Sequence, residues 1–378
     1  MLEEYRAKID AIDDEIAALY AQRMAVVKEI AEAKRAGGTA VADPGRERAL
    51  LTRLTKAAPA ELKLYLKQVY DEILETSRAY QRRLVSHGSP VSDALKKALE
   101  EDRATFPAFA TVACQGVMGA YSGVAADKLF TLPDVTYCKT FEGVFQAVEK
   151  GLCEFGVLPI ENSAVGSVNA VYDLMKKHRF YIVRSIKLRV NHCLLAKKGT
   201  TKENLTEVFS HEQALNQCSK LLSTLSKSVK VTVTSNTAVA AKTVAESDGH
   251  VACISSKECA DLYGLTVLDK NVQDADTNFT RFICICKDLR VYAGANKISI
   301  MMTLPHEAGS LNRTLNKFST LGLNLTKLES RPIPNSTFEF MFYFDFEGQP
   351  EDADVLGLLS EFDLGSEQFA FLGSFTEI

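Results

Sequence analysis

An apolar stripe along the first helical segment constrains this chain more than any other feature. Apolar side chains recur there at steps of three and four residues, which predicts an amphipathic helix that ends at Gly37-Gly38. At about 1.5 Å per residue the helix extends roughly 50 Å, more than a small helical domain can cover by itself. We therefore expect a homo-oligomer, at least a dimer, in which a second copy packs against the stripe. The stripe consists of Tyr5, Ile9, Ile12, Ile16, Leu19, Val27 and Ile30.

Composition excludes several classes of protein. The 378 residues are 46% hydrophobic and 24% charged, which is typical of a globular chain with two or three domains, and a net charge of -4 gives no basic surface for nucleic acid. Neither a membrane span nor a signal peptide is visible, so we expect a cytoplasmic protein. The nine cysteines form no C-x-x-C pair. We expect buried thiols, no metal and no cofactor.

The hydrophobic period changes twice along the chain. Helical spacing gives way to short apolar runs alternating with helices, which predicts a two-lobed α/β domain with a cleft. The longest of these runs, Tyr181 to Leu195, predicts a single strand. The last segment has the order βαββαβ, as in ferredoxin-like α+β domains. The expected multidomain architecture is an all-α domain at 1–86, a linker with one short helix at 87–108, the α/β domain at 109–290 and the α+β domain at 296–378.

Cations interrupt the apolar stripe. Burial of Arg23 in the stripe requires an anion. Lys34 lies about 16 Å further along nearly the same helix face, so both side chains can contact one ligand. Arg6 is roughly 25 Å from Arg23 and would reach that ligand only from an antiparallel second copy. Solvated surface cations are the alternative. The additional pair Arg46-Glu47 at the next helix start favours an anion site.

This segment closely resembles the all-helical chorismate mutases over about residues 2 to 85. The resemblance implies an intertwined homodimer that converts chorismate to prephenate by positioning and charge stabilisation alone. It also implies roles for individual residues. Arg6 from the partner and Arg23 bind the carboxylates, Lys34 and Gln81 meet the ether oxygen, and Glu47 holds the hydroxyl. Asp43 is a substrate ligand or only a helix N-cap. The matching pattern is Arg6, Arg23, Lys34, Asp43-x-x-Arg46-Glu47 and Ser77-x-x-x-Gln81.

In the central segment, uncharged polar side chains close apolar runs. They occur in Pro159-Ile160-Glu161-Asn162-Ser163 and in Asn278-Phe279-Thr280-Arg281-Phe282, at strand ends where α/β folds bind ligands. A glycine-rich turn from Gly116 to Ser122 opens a helix whose N–H groups suit a carboxylate. Together with Ser210 to Cys218, these motifs resemble the prephenate dehydratases from about residue 109 to 287. Gly116-Val117 and His211-Glu212 stand where that family usually has proline, which affects loop geometry.

The dehydratase resemblance implies that prephenate loses carbon dioxide and water to give phenylpyruvate. Thr280 is the candidate donor to the departing hydroxyl, and Glu161 is the rival acid. Arg281 binds a carboxylate or braces the cleft, and Phe282 is placed in the substrate site although packing suits it better. For His211, a capping role is favoured over a general base. The remaining binding candidates are Gly119, Tyr121, Ser122, Asn162, Ser163 and Gln217.

Two motifs of the last segment resemble the ACT domain attached to dehydratases. His306 to Leu311 places a glycine at a strand-to-helix turn, and Leu328 to Pro332 ends the next strand. The resemblance implies that L-phenylalanine binds between paired copies and inhibits by favouring a closed arrangement. Asn312 departs from a position that is commonly apolar. The expected effector residues are Gly309, Ser310, Leu311, Glu329, Ser330 and Arg331.

In this order, the three resemblances are those of the bifunctional chorismate mutase-prephenate dehydratases of phenylalanine biosynthesis. The competing interpretation is an amino-acid-responsive binding protein with a helical dimerisation module. The cations in the stripe argue against it, because dimerisation alone would prefer leucine there.

Overall fold

The computed structural model describes residues 2–37, 41, 43–85, 88–100, 105–275, 277–333 and 339–378. Its first part is helical, as the periodicity predicts. The helices are α1 (Leu2–Gly37), α2 (Pro44–Ala57), a 3-10 turn (Ala60–Leu62), α3 (Lys63–Val85) and α4 (Pro90–Glu100).

Only the C-terminal half of α1 is covered within one chain. Val27 and Ala31 are buried, and the Tyr20 hydroxyl donates to Thr76 Oγ1 on α3 at 3.0 Å. Four stripe residues in the N-terminal half are between 55% and 63% exposed. A run of aliphatic side chains left in water along one helix face indicates a missing partner. These residues are Ile9, Ile12, Ile16 and Leu19.

The short helix expected within residues 87–108 is α4, and it is a packed element. Leu95 is fully buried in a core cluster shared with Phe318 and Phe362 of the C-terminal part of the chain. The backbone N–H of Val91 donates to Asp363 Oδ2 at 3.1 Å. Residues 90–100 therefore belong structurally to the C-terminal core.

The central part has two sheets, which form two lobes. The first lobe has strand order β5-β11-β3-β1-β2, with β4 beside β3, and the second has β10-β6-β9-β7-β8. This confirms the predicted α/β architecture. The elements are β1 (Phe109–Gln115), α5 (Tyr121–Leu129), β2 (Leu132–Cys138), α6 (Phe141–Glu149), β3 (Phe155–Asn162), β4 (Gly166–Ser167), α7 (Asn169–His178), β5 (Tyr181–Arg189), β6 (Cys193–Ala196), β7 (Glu207–His211), α8 (Glu212–Asn216), α9 (Ser219–Thr224), β8 (Lys230–Thr234), α10 (Thr237–Glu246), β9 (Val251–Ser255), α11 (Lys257–Tyr263), β10 (Thr266–Asp269) and β11 (Phe279–Cys286).

The chain crosses between the lobes twice, between β5 and β6 and between β10 and β11. The prediction of one strand from Tyr181 to Leu195 is wrong for this reason. Residues 190–192 leave the first sheet, and β6 begins in the second. Because the two crossings are adjacent, residues near them can contact both lobes.

The C-terminal part has the predicted element order βαββαβ, and its strands follow the order β13-β14-β12-β15. The end of β15 pairs in parallel with β5, so the strands of this part continue directly into the first lobe's sheet. At the junction, Gly373 has φ +138°, and a Cβ there would lie 2.2 Å from the Ile182 carbonyl oxygen. Only glycine permits this approach. The elements are β12 (Lys297–Thr303), α12 (Ser310–Thr320), β13 (Leu325–Pro332), β14 (Phe340–Glu347), α13 (Ala353–Gly365) and β15 (Phe369–Glu377).

The prediction of buried thiols is confirmed: eight of the nine free cysteines are buried, and Cys138 is half-buried. Among the described helices, none has the length and apolar character needed to cross a membrane.

Candidate active sites

The first candidate site lies between α1 and α3. Arg23 donates from Nη1 to the Ser77 hydroxyl, which itself donates to the Ile73 carbonyl oxygen at 2.5 Å. One turn later, Gln81 is buried and its Nε2 donates to the Ser77 carbonyl oxygen at 3.4 Å. Its Oε1 is buried without a hydrogen-bond partner among the described residues. A buried, unsatisfied amide beside an arginine is consistent with a polar ligand site.

The other predicted mutase residues differ in burial and in their contacts. Lys34 is half-buried and donates to the Val41 carbonyl oxygen at 2.5 Å. Asp43 caps α2, because its carboxylate accepts from the backbone N–H of Arg46 at 3.0 Å. The capping role is thus confirmed, and the Arg46 residue is exposed. Arg6 lies on the uncovered half of α1, so a single chain does not bring it to Arg23.

A charged network links this site to the C-terminal part of the chain. Glu47 pairs with Arg78, whose Nη2 lies 2.5 Å from Glu75 Oε2 on the same helix. Glu75 Oε1 lies 3.4 Å from Lys317 Nζ on α12, and Lys317 Nζ lies 2.8 Å from Glu361 Oε1 on α13. Burial opposes ionisation of Glu75, but hydrogen bonding to Arg78 and the charge of Lys317 lower its pKa. Arg78, which the sequence pattern does not reveal, joins Glu47 to Glu75 through these ion pairs.

Beside this network, a cavity of about 670 Å³ separates the helical part from α12 and α13. Tyr20, Thr76 and Tyr80 line one side, and Asn316 and Leu364 line the other. None of the predicted substrate or effector residues lines it. It is therefore distinct from both candidate active sites.

The second candidate site lies where the lobes meet, and a chain of amide hydrogen bonds crosses it. Asn162 Nδ2 donates to Thr280 Oγ1 and to Asn278 Oδ1, both at 2.9 Å. Asn278 Nδ2 in turn donates to Oε1 of Gln217, which follows α8 in the second lobe, at 2.9 Å. The structure thus brings together Thr280, Asn162 and Gln217, and it adds Asn278, which lies in the same sequence motif as Thr280.

Backbone N–H groups fix the orientation of the Asn162 amide, and with it the direction of these hydrogen bonds. The N–H groups of Ala164 and Val165 donate to Asn162 Oδ1 at 3.0 and 3.2 Å, so the amide nitrogen of Asn162 must face Thr280. The Thr280 oxygen therefore accepts, and its own proton can be donated to a ligand. Since Thr280 is half-exposed, that proton is accessible from the cleft.

Ser163 serves the loop that precedes β11. Its hydroxyl donates to the Thr277 carbonyl oxygen at 2.6 Å and accepts from the Phe279 N–H at 2.9 Å. Because loop atoms use both its donor and an acceptor position, Ser163 supports the site and leaves no proton for a ligand. The hydroxyl oxygen keeps a second acceptor position and Ser163 is exposed, so a direct substrate contact stays a prediction.

The glycine-rich turn before α5 packs on the second lobe. Gly119 has φ +88°, and a Cβ there would lie 2.9 Å from Cys259 Sγ. The Tyr121 hydroxyl donates to the Asn191 carbonyl oxygen at 2.9 Å, and burial raises its pKa. Ser122 is buried and donates to the Gln115 carbonyl oxygen at 2.5 Å. The Tyr121 and Ser122 side chains hold the turn in place, and Gly119 leaves the backbone there without a covering side chain.

Glu161 and Arg281 face away from the cleft. They pair across β3 and β11 beside the pair of Asn162 and Thr280, and side chains alternate along a strand. Arg281 Nη1 lies 2.6 Å from Asp345 Oδ2, and Glu161 Oε2 lies 3.2 Å from Lys327 Nζ; both partners belong to the C-terminal part. The predictions of Glu161 as rival acid and of Arg281 as a substrate ligand are therefore wrong in this structure.

Two further predictions concern residues near the same strands. Phe282 is 3% exposed within the first lobe's core, which agrees with packing and not with a substrate contact. His211 caps α8, because its Nδ1 accepts from the Gln213 N–H at 3.3 Å, so the favoured capping role is confirmed. His192 was missed: it is buried at the first crossing, and its Nε2 lies 3.2 Å from Gln217 Oε1.

The predicted effector residues fall into two groups. Gly309 precedes α12 with φ +83°, and it is followed by buried Ser310 and half-buried Leu311. On β13, Arg331 Nη1 donates to the Asn169 carbonyl oxygen at 2.6 Å, and Glu329 accepts from the Ser167 hydroxyl. Ser330 between them is exposed. The β13 group thus contacts the first lobe.

Comparison with known proteins places both sites in families. The family described as "Chorismate mutase type II" matches residues 5–82, and "Prephenate dehydratase" matches residues 112–290. The "Bifunctional chorismate mutase/prephenate dehydratase" of Escherichia coli (strain K12) is 32% identical over 380 residues, which cover 98% of this chain and 95% of that protein. The chain belongs to the bifunctional chorismate mutase/prephenate dehydratase family. Its two matched segments each contain one of the candidate sites.

Other relatives match about 70% of the chain. "Arogenate dehydratase 1" of Petunia hybrida is 37% identical over 280 residues, which cover 70% of this chain but only 66% of that protein, less than two thirds of it. A solved structure of prephenate dehydratase from Arthrobacter aurescens, in complex with L-Phe, has a TM-score of 0.64 at 26% identity and covers 70% of this chain and 89% of that one.

Proposed function

We propose that this chain converts chorismate to prephenate between α1 and α3, and prephenate to phenylpyruvate at the lobe crossing, as a cytoplasmic enzyme of phenylalanine biosynthesis. The alignment with the bifunctional relative over 98% of the chain carries the proposal. Thr280, with a proton directed by Asn162, supports the second activity, because dehydration needs a donor to the departing hydroxyl.

The mutase step needs a cationic pocket and no proton transfer. Arg23 and Lys34 are half-buried on one face of α1, and Gln81 offers an unsatisfied amide opposite them. Chorismate carries two carboxylates, so one arginine per chain leaves one carboxylate without a partner. Arg6 of a second copy would complete the site, and the exposed stripe on the same half of α1 is the surface for that dimer. Glu47, held by Arg78, binds the substrate hydroxyl.

In the dehydratase step, Thr280 donates a hydrogen bond to the departing hydroxyl. As negative charge grows on the Thr280 oxygen, the hydrogen bond that this oxygen already accepts from Asn162 Nδ2 becomes stronger. Uncharged amides hold the substrate without fixing the ring carboxylate as a cation would, so its electrons remain able to move into the ring as carbon dioxide leaves. The backbone of the turn at Gly119 meets a carboxylate at the start of α5.

The C-terminal part acts as an ACT domain that binds L-phenylalanine and inhibits. Its strand order β13-β14-β12-β15 agrees with a ferredoxin-like fold, and Gly309 provides a backbone turn that an amino acid can approach closely. The relative from Arthrobacter aurescens is described as a complex with L-Phe. Paired copies of this part would complete the effector site, with Glu329, Ser330 and Arg331 on β13 beside the first lobe.

The test measures both activities in matched variants. Thr280→Val should reduce phenylpyruvate formation at least about 100-fold and leave chorismate consumption unchanged, because one transition-state donor is lost. Lys34→Ala should do the reverse. The controls are Thr266→Val and Lys28→Ala, which change exposed residues of the same types. Absence of turnover of both chorismate and prephenate by the wild-type protein would refute the proposal. Arogenate is assayed beside prephenate, given the arogenate dehydratase relatives.

A further inference from the structure

Several polar atoms around the lobe crossings are buried without a hydrogen-bond partner among the described residues. Two are amide nitrogens, Nε2 of Gln217 and Nε2 of Gln273, and the others are Nδ1 of His192 and Oδ1 of Asn191. His192 is 2% exposed, whereas Gln217 and Gln273 are only half-buried. Unpaired buried polar atoms cost free energy unless a ligand or water completes them. Both glutamines contact His192, so two unpaired amide nitrogens belong to side chains held by one residue at the crossings.

Hydrogen-bond polarity can be followed from the backbone to these atoms. Backbone N–H groups fix the Asn162 oxygen, so its nitrogen donates to the Asn278 oxygen, and the Asn278 nitrogen donates to the Gln217 oxygen. An oxygen acceptor facing His192 requires that the imidazole donate from Nε2. The amide nitrogen of Gln217 therefore points away from these hydrogen bonds and has no acceptor among the described residues.

Gln273 is fixed in the same way from the second crossing. The backbone N–H of His192 donates to Gln273 Oε1 at 3.0 Å, so the amide nitrogen of Gln273 is the unpaired atom. His192 thus contacts both glutamines, one through its ring and one through its backbone. Each glutamine is left with an N–H donor whose direction is set.

We propose that Gln217 and Gln273 form a carboxylate subsite of the dehydratase and that His192 is its positioning residue. Carboxylates only accept hydrogen bonds, and two amide N–H donors match that requirement without adding charge. His192 acts by holding the Gln217 oxygen, with burial lowering the pKa of the imidazole so that it stays neutral. This inference rests on the proposed function, since prephenate supplies the carboxylate.

The experiment is a double-mutant cycle on prephenate kinetics. His192→Leu should raise KM about tenfold and change kcat less than twofold, because Gln217 binds ground state and transition state alike. His192→Gln keeps an N–H near the Nε2 position and should restore KM to within about threefold. In a Gln217→Leu background, His192→Leu should add no further loss, since its action passes through Gln217. Gln273→Met should raise KM independently.

Controls separate the possible failures. His250→Leu changes an exposed histidine and should leave KM unchanged, and the urea midpoint of the dehydratase lobes in each variant reports correct folding. Absence of prephenate turnover in the wild-type protein would refute the proposed function itself. With an active wild type, an unchanged KM in both His192→Leu and Gln273→Met overturns the subsite. A full additional loss from His192→Leu in the Gln217→Leu background overturns the positioning role.

Discussion

Replacing Arg281 by methionine tests whether this residue joins two parts of the chain or binds substrate. Its guanidinium lies 2.6 Å from Asp345 Oδ2 and 3.2 Å from Glu377 Oε2, and the three side chains are only 9–11% exposed. Methionine keeps most of the volume and removes the charge. Breaking a buried pair costs about 3–5 kcal/mol, because the remaining carboxylate stays buried without its cation.

That loss should appear where the C-terminal strand pairs with the first lobe. The Ile378 N–H donates to the Ser185 carbonyl oxygen at 2.9 Å, and the Lys187 N–H donates to the Ile378 carbonyl oxygen at 3.0 Å. Amide hydrogen exchange at these two positions reports the free energy of opening this junction. A change of 3–5 kcal/mol corresponds to a faster exchange by a factor of at least about 100.

Arg290→Met is the matched control. Arg290 Nη1 lies 2.5 Å from Glu154 Oε1, but these side chains are 40% and 43% exposed, so the pair contributes about 1 kcal/mol or less. The KM for prephenate should stay within about twofold in both variants, since Arg281 faces away from the cleft. Exchange rates in Arg281→Met no faster than in Arg290→Met, or a large rise in KM without faster exchange, would refute this assignment.

Two further predictions concern acid stability and assembly. Burial opposes ionisation of Glu377, but hydrogen bonds from Lys187 and Lys297 and the charge of Arg281 lower its pKa from 4.5 to about 2. Because the folded-state pKa is lowered, ionised Glu377 stabilises the fold above pH 4.5. The free energy of unfolding should fall by up to about 3 kcal/mol as the pH drops toward 2. Urea midpoints should therefore decline in that window, and decline less in Glu377→Gln. Ile12→Glu should convert the proposed dimer to monomers in sedimentation and abolish mutase turnover while the dehydratase persists, because Ile12 is 55% exposed in one chain. Asp14→Asn, about 200° round the helix, should do neither; a dimer that survives Ile12→Glu would exclude the stripe as the interface.

The sequence predicts the elements of this fold better than it predicts the directions of side chains. Helix α1, the Asp43 cap and the grouping of Thr280 with Asn162 follow from periodicity, capping chemistry and motif order. Glu161 was placed in the cleft because it neighbours Asn162 in sequence. Strand alternation turns neighbours to opposite faces, and applying it to Glu161 would have found the error.

Other features depend on tertiary contacts that no local pattern contains. The apolar run from Tyr181 to Leu195 does not show that the chain changes sheets at residues 190–192. His192 is a single histidine within that run, and its contact with Gln217 joins residues 25 positions apart. The sequence pattern does not reveal strands β7 and β10, since β7 is half polar and β10 has only four residues.

The pairing of β15 with β5 has a consequence for how this chain folds. Ser185 and Glu377 are separated by 192 positions, so the β5 side of the first lobe's sheet stays unpaired until a very distant segment arrives. Closing so large a loop is slow, and an unpaired strand edge invites association with other chains in the meantime. Refolding from denaturant should therefore show a late, concentration-sensitive phase at this edge, and a chaperone that shields it would raise the yield.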